Sequence, residues 1–463
     1  MSPRSRRRTP NARVVGLAGS RGATALLVGV AVLALAGVAR LVPLGAAPEA
    51  RAGTRVPVTS ALLACPAGDV AVQPWPGARD GRITVAPVTG GAPLSDGGAA
   101  WSASPRADVA VRAAGGAAAG LAAEQTRDDV GLAGTRCAEP AVEHWFTGPG
   151  PGAAERVEVH LTNLDPRPAS VDLHAYSGDG PLDGTDGRGI TVEPATTRVV
   201  RLGASAEGLG DLVRTARELT LRVVATTGRV AAAVHVRADA GADWLPRAAA
   251  PAREIIVPGV PGGSGERRLL VAVPGGEDAR LRIETITAQG VVTPGGRGTL
   301  EAFAGTVTAV DLHPSLAARP AAVRVTADRP VVAGVAVRRG SDVAYGASAG
   351  PVGGGALLPA SRRDAWLTLT APRAGATVVL TPVGGGAPQR LTVAAGRTAE
   401  TRIAAGTGAL LVQPERGSGP VYAARLLTAG GGSDVRLTLL PVPEAARTTA
   451  LPPVGGTRRV LIP

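Results

Sequence analysis

The residues with the strongest claim to chemistry are Gly346-Ala347-Ser348-Ala349-Gly350. They fit the Gly-x-Ser-x-Gly pattern of a nucleophile elbow, in which small neighbours let a serine sit on a strained turn between a strand and a helix. Pro351 to Gly355 (PVGGG) follows, which cannot begin a stable helix, and no histidine lies downstream to act as base. The segment is therefore expected to be a connector. Asp179, Asp183 and Asp186, in SGDGPLDGTDGRG, offer oxygen ligands of the kind Ca²⁺ takes. Their spacing is not that of an EF-hand, and Arg188 sits in the loop, so a solvated hairpin tip is expected. The five histidines (144, 160, 174, 235 and 313) show no zinc spacing. His160 and His174 fall on the polar sides of alternating strands, where surface positions are expected; a metal pair there would need them to be cross-strand neighbours. The 49 basic residues are all Arg, which excludes Schiff-base chemistry, lysine general bases and the P-loop phosphate clamp. Carboxylate pairs for glycoside hydrolysis come from distant positions in a fold, and nothing in the sequence singles one out. The expectation is a chain without catalytic residues, cofactor or metal.

Two other sets of residues carry information. Cys65 and Cys137 belong to no Cys-x-x-Cys pair and have only His144 nearby as an imidazole, so a disulfide is expected in place of a metal site. Trp75, between Pro74 and Pro76, is the best placed stacking platform for a glycan, whereas Trp145 and Phe146 beside His144 read as a buried plug at a boundary.

The elements that must position these residues begin with an address. Seven of the twelve net positive charges lie in residues 1–42, leaving +5 for the remainder, which offers neither a concentrated basic face nor aromatic density for nucleic acid. The seven arginines (4, 6, 7, 8, 13, 21 and 40) bracket Gly22 to Ala39, an uncharged apolar run long enough to span a bilayer. Arginines on its N-terminal side place that end in the cytoplasm and everything after Leu44 outside. A cleaved signal peptide competes, because Ala34-Leu35-Ala36 and Gly45-Ala46-Ala47 offer small-residue cleavage sites; the length of the run favours an anchor.

Beyond the anchor the grammar is that of strands. Val157, Val159 and Leu161 alternate with Glu158 and His160, and similar runs recur at Val171–Ala175, Leu219–Val223, Leu281–Ile283, Val323–Val325 and Val435–Leu439. No strong amphipathic helix accompanies them, so the exported part is expected to be all-β. Two landmarks repeat in order. The first is Thr191–Leu202, Glu301–Leu312 and Thr392–Ile403, each with a turn near its centre; the second is Val230–Arg237, Val331–Arg338 and Val421–Thr428. A spacing near 100 residues matches an immunoglobulin-sized sandwich. The expected organisation is a basic cytoplasmic tail (1–21), a transmembrane signal anchor (22–42), a linker and disulfide-bonded N-terminal β region (43–150), and three β-sandwich repeats (151–262, 263–361 and 362–463). The alternative is a β-propeller with two blades per repeat. Strands in the N-terminal region are hard to place; Ala107–Ala123 has helical propensity, interrupted by Gly115-Gly116.

The segment Arg136-Cys137-Ala138-Glu139-Pro140, through His144-Trp145-Phe146-Thr147-Gly148 to Val159-His160-Leu161-Thr162-Asn163, resembles a family of actinobacterial exported proteins known only as domain of unknown function 5719. Leu164-Asp165-Pro166 departs from the resemblance, standing where Asn followed directly by Pro is expected. The resemblance implies a basic N-terminus, one apolar span, a cysteine pair and β repeats over about residues 60 to 463, and it brings no activity. The functional expectation is a membrane-anchored, extracytoplasmic, non-catalytic scaffold or accessory protein of the cell envelope, with an envelope membrane protein or the wall glycan as partner and no nucleic acid. A cell-wall carbohydrate-binding array is the alternative and requires exposed Trp or Tyr on one face. An envelope hydrolase is the second alternative and requires two carboxylates, or a Ser/His pair, converging in a cleft; a buried acidic pair with raised pKa values would point that way.

Overall fold

The structure is a computed structural model and describes residues 30, 54–182, 184–294, 298–316, 318–431 and 434–451. The tail and the apolar run expected to be the anchor lie outside these residues except for Val30; among the described residues no helix is long and apolar enough to cross a membrane. The chain divides into two units, Met1–Val56 with Ala450–Pro463, and Pro57–Thr449. In the first, the Leu451 N–H donates to the Thr54 carbonyl (3.0 Å).

The second unit is all-β, built from four modules of paired antiparallel sheets spanning residues 60–136, 143–245, 252–347 and 356–442. Each has the same strand order. With strands counted along the module, one sheet runs 1-6-3-4 and the other 5-2-7-8; the second and third modules add a short strand, Ile190–Val192 and Leu300–Ala302, on the third. In the third module the sixth and seventh strands are one 19-residue strand, Ala321–Arg339, that crosses between sheets. Pro330 at the crossing lacks the N–H that a continuous ladder needs. The 2–5 and 3–6 pairings are those of an immunoglobulin sandwich, but the first and seventh strands have exchanged sheets. A propeller is not formed among the described residues: the strands of each module are divided between two sheets that enclose one core, whereas a blade is a single sheet.

Alternation decides which faces are buried. Val157, Val159 and Leu161 point into the second module's core with Val171, Leu173, Leu221 and Val234, as the period-2 pattern demands. Both repeating landmarks fall on equivalent strands. The first becomes the approach to the fifth strand (Thr196–Arg201, Val307–Asp311, Arg397–Ile403) and the second the seventh strand (Ala231–Ala238, the end of Ala321–Arg339, Tyr422–Ala429). The turn before each fifth strand needs positive φ at its fifth landmark position, Ala195 (+52°), Gly305 (+70°) and Gly396 (+66°).

The N-terminal region follows the same plan. Its seventh strand is Ala122–Asp128, and the expected helical stretch is instead the strand Val109–Gly115, a turn, and then Ala122 onward. Gly115 has φ +64°, and a Cβ on Gly116 would meet the Arg79 carbonyl oxygen at 2.2 Å, so the chain can turn there but not wind. Cys65, ending the first strand, is bonded to Cys137, just past the eighth.

Apolar side chains cross every boundary. Val343 and Tyr345 of the third module complete the second core; Leu426, Leu437 and Leu439 of the fourth cover the third; Leu132 of the first enters the fourth. Ala64 and Ala110 of the first module pack with Leu164 and Ala231 of the second. The four closing strands, Leu132–Arg136, Gly241–Leu245, Asp342–Ala347 and Arg436–Val442, meet at one junction.

Candidate functional site

Two carboxylates hold the junction. Asp243 Oδ1 accepts from the Gly134 N–H (2.9 Å) of the first module, the Thr438 hydroxyl (2.9 Å) of the fourth and its neighbour's Trp244 N–H (2.8 Å), while Oδ2 accepts from the Tyr345 N–H (3.3 Å) of the third. Asp342 Oδ2 accepts from the Leu437 N–H (2.8 Å) and the Leu132 N–H (3.3 Å). Both residues are fully buried. Close approach depends on Gly241 (φ +142°), where a Cβ would come within 2.4 Å of Asp342 Oδ1.

Burial sets the charge state, since desolvation penalises an ionised carboxyl and donated hydrogen bonds favour it. Desolvation dominates at both sites. It pushes Asp243 well above the ordinary range against the donors from Gly134, Thr438, Trp244 and Tyr345, and it raises Asp342 to about 6 against the N–H groups of Leu437, Val343 and Leu132. Burial likewise pushes the Tyr345 phenol up, with Asp243 and Asp342 adding to the effect. This is an acidic pair with raised pKa values, the feature a hydrolase would need. It does not stand in a cleft: neither carboxylate lines the cavities, and only Asp342 Oδ1 lacks a partner among the described residues.

A cavity of about 350 Å³ opens where the chain leaves the closing strands, walled by segments that follow all four. Its polar lining is Thr135, Arg136, Glu139, Arg247, Ser348 and Glu444. Arg136 is held by Glu124 (2.8 Å), and Glu444 accepts from the Gly354 N–H (2.7 Å). Ser348 therefore does reach a cavity, but not as an elbow. Its N–H bonds the Ala333 carbonyl (3.0 Å), its carbonyl accepts from Ala249 (2.9 Å), its φ is not positive, and extended chain follows it. The buried hydroxyl has no partner among the described residues, and no imidazole lines the cavity.

The other sequence candidates separate. Asp179 sits at a hairpin tip, its N–H bonded to Ser177 Oγ (3.2 Å); Asp186 faces Gly210; Asp183 lies outside the described residues. No group of three or more metal-ligating side chains gathers among the described residues. His160 and His174 are on different sheets, so they are not cross-strand neighbours. His160 instead flanks Trp244 (ring centroids 5.1 Å) with His235 on another edge (4.8 Å). The surface expected for His160 is covered, because a sheet's outer face is not solvent when it is packed over, and burial lowers both imidazoles, His235 to about 4. His174 lies against Arg188 (2.8 Å to Nδ1). His144 is buried, bonded through Nε2 to the Val230 carbonyl (2.8 Å) and lowered to about 4 by desolvation.

The aromatics singled out in the sequence serve packing, whereas Trp366 and Phe303 are exposed. Phe146 enters the second core, and Trp145 packs on Tyr176 and on Val332 and Ala347 of the third module, a plug between the two. Trp75 is half-buried, with the Arg447 guanidinium 4.6 Å from its ring centroid and Gly120 and Gly355 at its edge, so it does not offer the open face that glycan stacking requires. Asp243, Asp342, Glu124 and Arg425 were not singled out in the sequence. A signal existed for Arg425, the one charge within Val421–Thr428.

Fold and site together define a four-module β-sandwich protein closed around a buried polar junction. Residues 88–404 match a family of unknown function (DUF5719), and the chain belongs to that family. No curated protein matches it. Among solved structures it is compared with one titled "Crystal structure of tetra-tandem repeat in extending region of large adhesion protein", at 13% identity over 84% of this chain and 92% of that one; the TM-score is 0.10, too low to carry an argument.

Proposed function

We propose that this chain is a single-pass, membrane-anchored, extracytoplasmic scaffold or accessory protein of the cell envelope, its modules a variant of the immunoglobulin-like sandwich. The observation that carries the reading is the junction: Asp243 takes donors from the first, third and fourth modules, an arrangement that fixes surfaces relative to one another. The Cys65–Cys137 disulfide fits an oxidising compartment, and the arginine-flanked run Gly22 to Ala39 supplies the anchor. The partner is a membrane enzyme or transporter whose exported face needs a rigid neighbour.

The test is crosslinking in intact membranes followed by pull-down and mass spectrometry. One membrane protein recovered in near-equal amount supports the reading; wall glycan recovered with no consistent protein partner sinks it.

A further inference from the structure

The boundary between the first and fourth modules carries a cluster of ion pairs in addition to apolar contact. The second core is completed by Val343 and Tyr345 and the third is covered by Leu437 and Leu439; the first and fourth modules meet through Leu132 and, beside it, through a cluster of charges. Glu124, on the strand Ala122–Asp128, binds two guanidinium groups, Arg136 (2.8 Å) and Arg425 (3.0 Å). Asp128, ending the same strand, also binds two, Arg363 (2.8 Å) and Arg436. Asp69 stands 3.9 Å from Arg363, and exposed Arg362 has no ion-pair partner among the described residues. Five guanidinium groups thus face three carboxylates. Elsewhere most of the arginine pairs are one to one, as with Arg229 and Asp165 or Arg373 and Glu254.

Arg362 carries its unpaired charge at the surface, but Arg425 beside it in the boundary does not. The Arg425 side chain is 3% exposed and that of Glu124 5%, and arginine does not relieve such a site by losing its proton. The Arg425 Nε is buried with no hydrogen-bond partner among the described residues, and with the unpaired Arg362 it forms a donor set suited to an oxyanion. Room for one exists: a cleft of about 390 Å³ lies in this boundary, lined by Arg362, Arg363, Arg425, Asp69 and Glu124. The remaining polar lining is largely hydroxylic, including Ser102, Thr126, Ser361 and Thr407, and no aromatic ring is part of it. The volume is at the small end for ligand sites, the size of one sugar ring with its substituents. Recognition there runs through hydrogen bonds and charge, without ring stacking.

We propose that this cleft binds a small hydroxylated oxyanion, of the class of a uronic acid or a sugar phosphate, with the arginines meeting the anionic group and the hydroxyls meeting the sugar. The ligand bridges the first and last modules. The inference goes beyond the scaffold reading and stands without it, since neither the anchor nor a protein partner enters the argument.

The test is titration calorimetry on the full chain in detergent with galacturonate, glucose 6-phosphate, glucose and inorganic phosphate. One of the two anionic sugars is expected to bind once per chain with a Kd of about 1 mM or lower, and glucose not to bind. Tighter galacturonate assigns a carboxylate, tighter glucose 6-phosphate a phosphate, and either upholds the proposal. Arg362→Ala is expected to weaken binding at least tenfold, whereas Arg390→Ala, removing an exposed arginine paired with Glu415, leaves it unchanged; thermal melts of both variants check the fold. No binding by either anionic sugar, equal loss in both variants, or inorganic phosphate binding as tightly as the sugars would each overturn it.

Discussion

Replacing Asp243 by alanine tests the junction directly. The substitution removes the acceptor for the Gly134, Trp244 and Tyr345 amides and the Thr438 hydroxyl, in a place closed to water. Each buried donor left without a partner costs about 1 to 3 kcal/mol. Four of them come to several kcal/mol, and removal of a carboxyl that burial makes hard to ionise returns part of it. The expected net loss is about 3 to 5 kcal/mol, in the range of broken buried polar networks. Asp243→Asn keeps an acceptor for Gly134 and Thr438 and sets an amide N–H against that of Tyr345, so its loss is smaller, about 1 to 2 kcal/mol. Removing the Thr438 hydroxyl first, in Thr438→Val, lowers the cost of Asp243→Ala by about 1 kcal/mol, because the two share one hydrogen bond. Urea unfolding gives the totals. Amide hydrogen exchange at Gly134 and Tyr345, more than 100 residues apart from each other and in different modules, tells whether the loss is felt at the junction. A loss below about 1 kcal/mol, or unchanged exchange at both amides, would refute the reasoning.

Three further outcomes follow from the same geometry. Asp342, raised to about 6, keeps a proton in the folded protein that the unfolded chain releases near pH 4; the stability this gives is full below pH 4 and lost as pH rises through 6. Asp342→Asn is therefore more stable than the parent at pH 7.5 by up to about 3 kcal/mol in urea unfolding, and the gain shrinks toward zero below pH 4. His144 has the opposite sign: lowered to about 4, it gives stability that is present above pH 6.5 and lost as pH falls through 4, so His144→Gln flattens that acid loss by up to about 3 kcal/mol while keeping a donor for the Val230 carbonyl. Ala195 holds the left-handed conformation that Gly305 and Gly396 hold in the next modules, and Ala195→Gly raises stability by about 0.5 to 1 kcal/mol, read as a shift of the thermal midpoint.

Strands were legible wherever one face meets a core and the other does not. Val157 to Leu161 alternates because Glu158 and His160 take the less buried side, and the seventh strands at Ala231–Ala238 and Tyr422–Ala429 repeat because the same pairings are made in each module. The first module was not recognised as a fourth copy. Its seventh strand, Ala122–Asp128, buries Glu124 and Gln125 beside Ala122 and Ala123, and a strand covered on both faces shows no period of two. The same covering misplaced His160: outward from its own sheet proved to be inward to the packed protein. Asp243 and Asp342 were invisible for a different reason. In GADWL and GSDVAYG an acid after a glycine reads as a turn residue, and the partners that make it structural come from residues 134, 345, 437 and 438. No local pattern encodes a meeting of four distant strands.

The order in which Asp243 finds its partners has a consequence for biosynthesis. Its donors are numbered 134, 345 and 438, so a chain emerging from its N-terminus carries this carboxyl through two further modules before the last hydroxyl exists. Until the fourth closing strand is made, Asp342 also waits for the Leu437 amide. The modules can condense one by one, but the centre sets only when the final one arrives. A polypeptide cut short before residue 436 keeps two acids half-solvated at an unfinished seam, which distinguishes it from the complete product and leaves it open to proteolysis.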